Sequence, residues 1–433
     1  MIGADKRQPS KFPSAEISME SFIGADKRQP SKFPSAEISM ESFPGMSRVA
    51  AGPADHVVPF KHNPSKKVVV LATATISDGS IFCNGLYQNI LIIYRMLDAM
   101  NYMPIMLVND KPQKIEDVPD VLRKCRVAVV EDLVKNPVPL LAYIEIGMSI
   151  HPSMRQFMKM MGAKNCKLYL GNILNIDIET PMFYPQMNFA HHIVGEMDEI
   201  WVSPHYAQHD QYAAALNHVV PGGPGQKIAP YVWDSCFLTR DGTRNLSWRP
   251  RRQGEEEVFV IMEPNISFQK CSFVAIWIAE MYYRKNPGWK GKVICINGER
   301  FVMNPYFKDN IMPQLTLVRD GKLEMIGRRD MVTVMADYPW CVPICHQLNN
   351  EFNYMTFEFF HANFPVIHNA SHWSQFGYYY KGSSIANGLE ILEKAVRQHA
   401  DTLEGYKSDA KILTWRHSIY NPDVQRGWKE LLE

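Results

Sequence analysis

From Lys66 onward, short β-branched runs alternate with segments whose apolar residues recur at helical spacing. KKVVVLATATI, starting at Lys66, has the length and flanks of a buried parallel strand, LYQNILIIYRMLDAM (86–100) is a helix, and PIMLV (104–108) is the next strand. RVAVVEDL, LLAYIEIG, a helix from Pro152 to Met161, CKLYLG (166–171) and DEIWVS (198–203) continue the alternation, and Pro204 opens another helix. A second series begins at VFVIMEPN (258–265). It runs through a helix at 271–285, strands KVICIN (292–297) and LTLV (315–318), a helix from Arg328 to Met335 and CVPIC (341–345). A helix at 352–363, the strand PVIHN (365–369) and a helix at 385–400 complete it.

Between the two series, RDGTRNLSWRPRRQGEEE is polar, charged and turn-rich, as an interdomain linker is. The pattern predicts an α/β protein with two Rossmann-like, doubly wound domains facing a cleft, one over 61–250 and one over 251–405. Residues 406–433, with Trp415 and Trp428, are expected to form a C-terminal helix that crosses back onto the first domain. Residues 2–22 recur without a change as 23–43. Each copy is rich in Pro, Ser, Lys and Glu, too polar to offset its ordering entropy, so 1–60 reads as a disordered tail.

Composition narrows the function. The 433 residues hold 46 Lys+Arg against 45 Asp+Glu, so no global field draws the chain to nucleic acid or an anionic membrane. The longest apolar runs, such as SFVAIWIA (272–279), are far shorter than the roughly 20 residues of a membrane span. Eight scattered cysteines and the lack of a leader pattern point to reduced thiols and a cytoplasmic location. There is no G-x-G-x-x-G after a strand, no Walker A loop, no G-x-S-x-G and no H-E-x-x-H, which removes dehydrogenase, P-loop, serine hydrolase and zincin readings. No Asp-x-Asp occurs, so neither a metal ion nor another cofactor is expected; the loop PGGPG (221–225) opens no helix and is a turn.

Several residues remain as candidates. Lys270 follows the first strand of the second series at the start of a helix, where free N–H groups and the helix dipole already favour an anion. Glu358 lies on a helix before PVIHN, where a carboxylate can accept both hydroxyls of a ribose. It is preceded by the polar run His346, Gln347, Asn349, Asn350 and Glu351. In the first series, SDGSIFCNGLYQN (77–89) joins strand to helix at the expected cleft, with Asn84 and Gly85 placed for close backbone approach. Asp78, Glu145, His191 and His192 lie near strand ends as possible general bases, and the sequence does not choose among them.

Together these segments resemble a known group. NNEFNYMTFEFFHANFPVIHNA (349–370) is similar to the E-x7-E region of GT-B glycosyltransferases of the sucrose-synthase and glycogen-synthase type. Aligned on Pro365, Val366 and Ile367, Glu358 matches the second glutamate, which in that group holds the donor ribose; the first falls on Asn350, with Glu351 beside it. EPNISFQKCSF (263–273) resembles the G-R-x4-K-G diphosphate segment, with Lys270 on the lysine and Asn265 in place of the arginine. The blocks NGLYQNILIIYRML, DEIWVSPHYAQ, EPNISFQK and FPVIHNA with GYYY also resemble, in the same order, an uncharacterised bacterial GT-B-like family, over 66–405.

The resemblance implies a metal-independent glycosyltransferase that takes a sugar from a nucleotide diphosphate sugar to a glycan or other hydroxyl acceptor. Lys270 would offset the diphosphate charge, Glu358 would hold the ribose, and Asn349 and Asn350 would lie near the sugar. A nucleotide-sugar epimerase on the same fold and a non-catalytic sugar- or nucleotide-binding protein are the alternatives.

Overall fold

A computed structural model describes residues 61–433 except 75, 77, 78, 83, 84, 113–115, 117, 147, 172–179, 184–196 and 239–245. The tail expected over 1–60 therefore lies outside the described residues, as do Asp78, Asn84, His191 and His192.

The first half is built on seven parallel strands: β1 (Val68–Ala74), β2 (Met103–Val108), β3 (Val127–Ala128), β4 (Leu140–Glu145), β5 (Lys164–Tyr169), β6 (Glu199–Val202) and β7 (Gln226–Ile228). Their order in the sheet is β3-β2-β1-β4-β5-β6-β7. Val68 to Ala72 are all buried, as a central parallel strand covered on both faces demands. Helices α1 (Gly85–Ala99), α2 (Val130–Lys135), α3 (Pro152–Met160), α4 (Thr180–Phe183) and α5 (Asp210–Leu216) connect the strands. The helical spacing read in 86–100 is real: Ile90 to Ile93, Met96 and Leu97 of α1 are buried.

The second half repeats the plan. Strands β8 (Val258–Ile261), β9 (Lys292–Ile296), β10 (Leu323–Ile326) and β11 (Val342–Pro343) are parallel, in the order β10-β9-β8-β11. A parallel bridge from Ile344 to Ile367 continues them into β12 (Ile367–His368) and β13 (Tyr378–Tyr379). Both halves are doubly wound, and in each the order reverses beside the first strand, between β1 and β4 and between β8 and β11. Crevices at such reversals are the ligand positions of open α/β sheets.

Helices α6 (Phe273–Lys285), α7 (Glu299–Val302), α8 (Thr316–Arg319), α9 (Met331–Asp337) and α10 (Tyr354–His361) flank this sheet. Two expectations are corrected. LTLV is not a strand: Thr316 and Leu317 begin α8 because the buried Glu280 carboxylate on α6 accepts both their backbone N–H groups, at 2.8 and 2.9 Å. The strand comes later, at β10. The helix expected from Arg328 starts instead at Met331, because Asp330 accepts from the backbone N–H of Thr333 at 2.9 Å and caps it.

Helix α11 (Ile385–Arg416) runs 16 residues past the expected end at 400, and α12 (Pro422–Leu432) follows. Gly388 lets α11 cross α6, since a Cβ there would stand 2.4 Å from the Cδ1 of Ile278. The chain ends on the first half. Trp428 of α12 donates its indole N–H to Pro230 O at 2.9 Å and meets Trp201 of β6 edge-on, ring centroids 6.0 Å apart. The Glu433 carboxylate accepts from Lys67 and from the Tyr102 hydroxyl, at 2.8 and 2.9 Å.

Candidate functional site

The segment after β8 carries the first part of the site. Asn265 adopts a left-handed backbone, φ 54°, which asparagine tolerates better than most residues. Its side chain is already engaged at both ends: Oδ1 accepts from Ser272 N at 2.8 Å, and Nδ2 donates to Asn297 O at 3.1 Å. Asn265 thus shapes the entry to α6 rather than offering a free polar group at the position where the arginine was missing. Its backbone N–H donates to Lys270 O at 2.9 Å, which folds the intervening loop and brings half-buried Lys270 to the mouth of α6. Burial lowers the Lys270 pKa, and Glu263 partly opposes this.

Glu263 is fully buried and was not picked out in the sequence. Burial pushes its carboxyl up to about 7, against donation from His346 N and the Gln347 amide and against the field of Lys270. From this carboxylate a polar chain crosses the molecule. Gln347 donates to Glu263 at 2.5 Å, Asn350 donates to Gln347 Oε1 at 2.7 Å, and the Tyr206 hydroxyl of the first half donates to Asn350 Oδ1. Asn350 therefore sits at the junction of the halves with its amide engaged at both ends.

The rest of the run after β11 is distributed differently. His346 has both ring nitrogens in use, Nδ1 2.7 Å from the Tyr380 hydroxyl and Nε2 3.4 Å from Ser383 Oγ, and burial lowers its pKa to about 4. Asn349 is exposed in a left-handed conformation, φ 52°, beside Leu348, whose N–H donates to Gln269 O at 3.1 Å. Glu351 accepts from the Ser371 hydroxyl at 2.8 Å, from His372 N at 3.1 Å and, if protonated there, from His372 Nδ1 at 2.5 Å. Burial raises its pKa, but these bonds outweigh it and hold the carboxyl below its usual range.

Glu358 has its own surroundings. It lies on α10 and lines a small cavity with Asp330, Met331 and Val332 of the second half and Phe82, Gln88 and Phe237 of the first. Burial, and then Asp330, push its carboxyl up to about 8. Gly85 starts α1 with open space beside its Cα, so nothing packs where a side chain would stand.

Of the candidate bases, Glu145 alone is described. At the end of β4 it is fully buried, accepting from the Tyr143 hydroxyl at 3.0 Å and from Ile150 N at 3.3 Å. Arg155 and Lys167 lie 3.6 and 3.8 Å from its oxygens.

Residues 69–432 match the family described as "Protein of unknown function (DUF2827)". The chain belongs to this family. No curated protein matches it. The DUF2827 chain is similar in structure to a glycosyltransferase from Rickettsia africae at 10% identity, TM-score 0.52, covering 85% of this chain and 98% of that one. It is similar also to Anabaena HepE in complex with UDP and glucose, at 10% identity and TM-score 0.52, covering 84% and 99%. A third such structure is described as trehalose-6-phosphate from E. coli bound with UDP-2-fluoro glucose, at 10% identity and TM-score 0.54, again covering 84% and 99%. The fold of this DUF2827 chain is the GT-B fold. Among the described residues no helix is long and apolar enough to cross a membrane, and no group of three or more His, Cys, Asp or Glu could hold a metal ion.

Proposed function

We propose that the protein is a glycosyltransferase that moves a sugar from a nucleotide diphosphate sugar to a hydroxyl acceptor. The observation that carries this reading is Lys270, half-buried at the N-terminus of α6, at the reversal of the second sheet of a GT-B fold. There the ammonium and the helix dipole act on the same anionic group. Glu358, on α10 beside a small cavity that both halves line, would hold the ribose. The bond from the anomeric carbon to the diphosphate oxygen breaks and one to the acceptor oxygen forms. The leaving diphosphate keeps the electron pair, and one of its oxygens takes the proton that the acceptor hydroxyl gives up. Lys270 and α6 offset the charge that develops, so this reading needs no metal ion. A cytoplasmic site of action goes with it, since the seven described cysteines are all free and buried.

One observation favours the non-catalytic alternative. Asn350, at the position expected near the transferred sugar, already spends its amide on Tyr206 and Gln347.

A thermal-shift panel of UDP, GDP, ADP, CMP and their sugars on the wild type, Lys270→Ala and Glu358→Ala tests the reading. UDP compounds come first because HepE and the E. coli protein were crystallised with them. The expected result is a raised midpoint with one nucleotide series, weakened by both substitutions. No shift with any of them, in a folded protein, overturns the proposal. Binding without transfer or hydrolysis of any sugar supports the non-catalytic alternative.

A further inference from the structure

The donor-site reading uses residues of the second half for the diphosphate, yet the first half brings an unused nitrogen to the same place. His205 follows β6 and is only 7% exposed. Its Nδ1 lies 3.0 Å from Ser203 Oγ. Tyr206 packs on the ring with centroids 3.9 Å apart, and Phe352 of the second half lies 4.7 Å away. Nε2, on the other edge, is buried and among the described residues has no hydrogen-bond partner. Buried nitrogens in native proteins are nearly always paired, so an unpaired one beside a proposed ligand site needs an explanation.

Burial above all, and then the fields of Lys270 and His372, lower the pKa of this ring well below its usual value, which keeps it neutral. The acids nearby are committed elsewhere: Glu263 to His346 N and Gln347, and Glu351 to Ser371 and His372. What these groups leave to offer is nitrogen, from both halves, and that suits a phosphoryl oxygen. With the Ser203 hydroxyl donating to Nδ1, the ring proton sits on Nε2 and can be donated.

We propose that His205 is a positioning residue of the donor site, donating from Nε2 to a diphosphate oxygen opposite Lys270 and so closing the first half onto the group that the second half holds. This rests on the donor-site reading. Admission of the ligand draws residues 349–352 back from the ring, because Phe352 covers it.

Calorimetric titration of the full chain with inorganic pyrophosphate and with UDP, on wild type, Lys270→Ala, His205→Asn, His205→Gln and Ser203→Ala, tests it. Asparagine reaches only as far as Nδ1, whereas the glutamine amide reaches Nε2. The expected result is pyrophosphate affinity about tenfold weaker in His205→Asn, recovered to within about threefold in His205→Gln. Ser203→Ala, which keeps the ring and frees its tautomer, is expected to weaken binding about threefold and covers the case that His205→Asn does not fold. Binding weakened by Lys270→Ala but equal in wild type, both His205 variants and Ser203→Ala overturns the role of His205 and leaves the donor site standing. No binding of pyrophosphate or UDP to the wild type removes the donor site and the inference together.

Discussion

Glu145 and Glu263 are both fully buried at the carboxyl side of a strand beside the reversal of its sheet, Glu145 ending β4, across the reversal from the first strand of its half, and Glu263 two residues past β8, the first strand of the other. Their surroundings differ in the number of cations. Glu145 has Arg155 and Lys167 near its oxygens, with the Tyr143 hydroxyl from its own strand. Glu263 has neutral donors from His346 N and Gln347, the more distant field of Lys270, and a pKa near 7. A buried acid beside a reversal can thus stand among close cations, as in the first half, or among neutral donors with its pKa raised by burial, as in the second, the adjustable half.

Breaking that contrast gives the largest expected effect. Glu145→Gln removes the counter-charge of two interior cations and is expected to cost about 3 kcal/mol in urea unfolding. Glu263→Gln replaces a group already half neutral at pH 7 and is expected to cost under about 1 kcal/mol. Equal losses would mean that the two acids are not differently placed after all.

Next comes Lys270→Met. Its ammonium has no close carboxylate among the described contacts, so its loss is expected to weaken nucleoside diphosphate binding by about 2 kcal/mol, roughly thirtyfold. Titration with UDP reads this, and an affinity within twofold of wild type would detach Lys270 from the anion.

Glu358 supplies a pH test of the adjustable half. Its folded pKa, about 8, is raised above the unfolded value, 4.5, so between them the unfolded chain is ionised while the folded one keeps its proton. The stability tied to that proton is fully present below the unfolded pKa and is lost as pH rises through the folded pKa. Glu358→Gln cannot ionise. From pH 6 to pH 7 the wild type is therefore expected to lose about 1.4 kcal/mol relative to the variant in unfolding experiments. A constant difference across that range would show that Glu358 is not held protonated.

Much of the fold was legible because buried parallel strands are continuous β-branched runs and α1 and α6 show their apolar spacing openly. LTLV misled for a physical reason: its helix depends on Glu280, 36 residues away, and a local pattern does not carry a distant cap. The site was legible in part. Lys270 stood out in the sequence because a cation at a helix start has a local signature. Glu263 and His205 were missed because each gains its meaning from the opposite side of a crevice, through Gln347, Asn350, Tyr206 and Phe352. Asn265 and His346 have polar side chains of the right type, but only the structure shows them already spent.

The smallest expected effect sharpens the comparison most, because it sets one phenol against another. Tyr143 donates to Glu145 from two residues away on the same strand, whereas Tyr206 donates to Asn350 in the other half, at the head of a chain in which every donor points toward Glu263. Each phenylalanine substitution removes one hydrogen bond, worth about 1 kcal/mol. Global stability alone will not separate them. Amide exchange will: Tyr143→Phe should loosen only the neighbourhood of β4, while Tyr206→Phe should raise exchange in two segments distant in sequence, 199–216 and 346–352. Those two segments meet only where the halves touch, so their joint loosening would mark the polar chain as a tie between the halves. Loosening of 199–216 alone would make Tyr206 a residue of the first half's own packing.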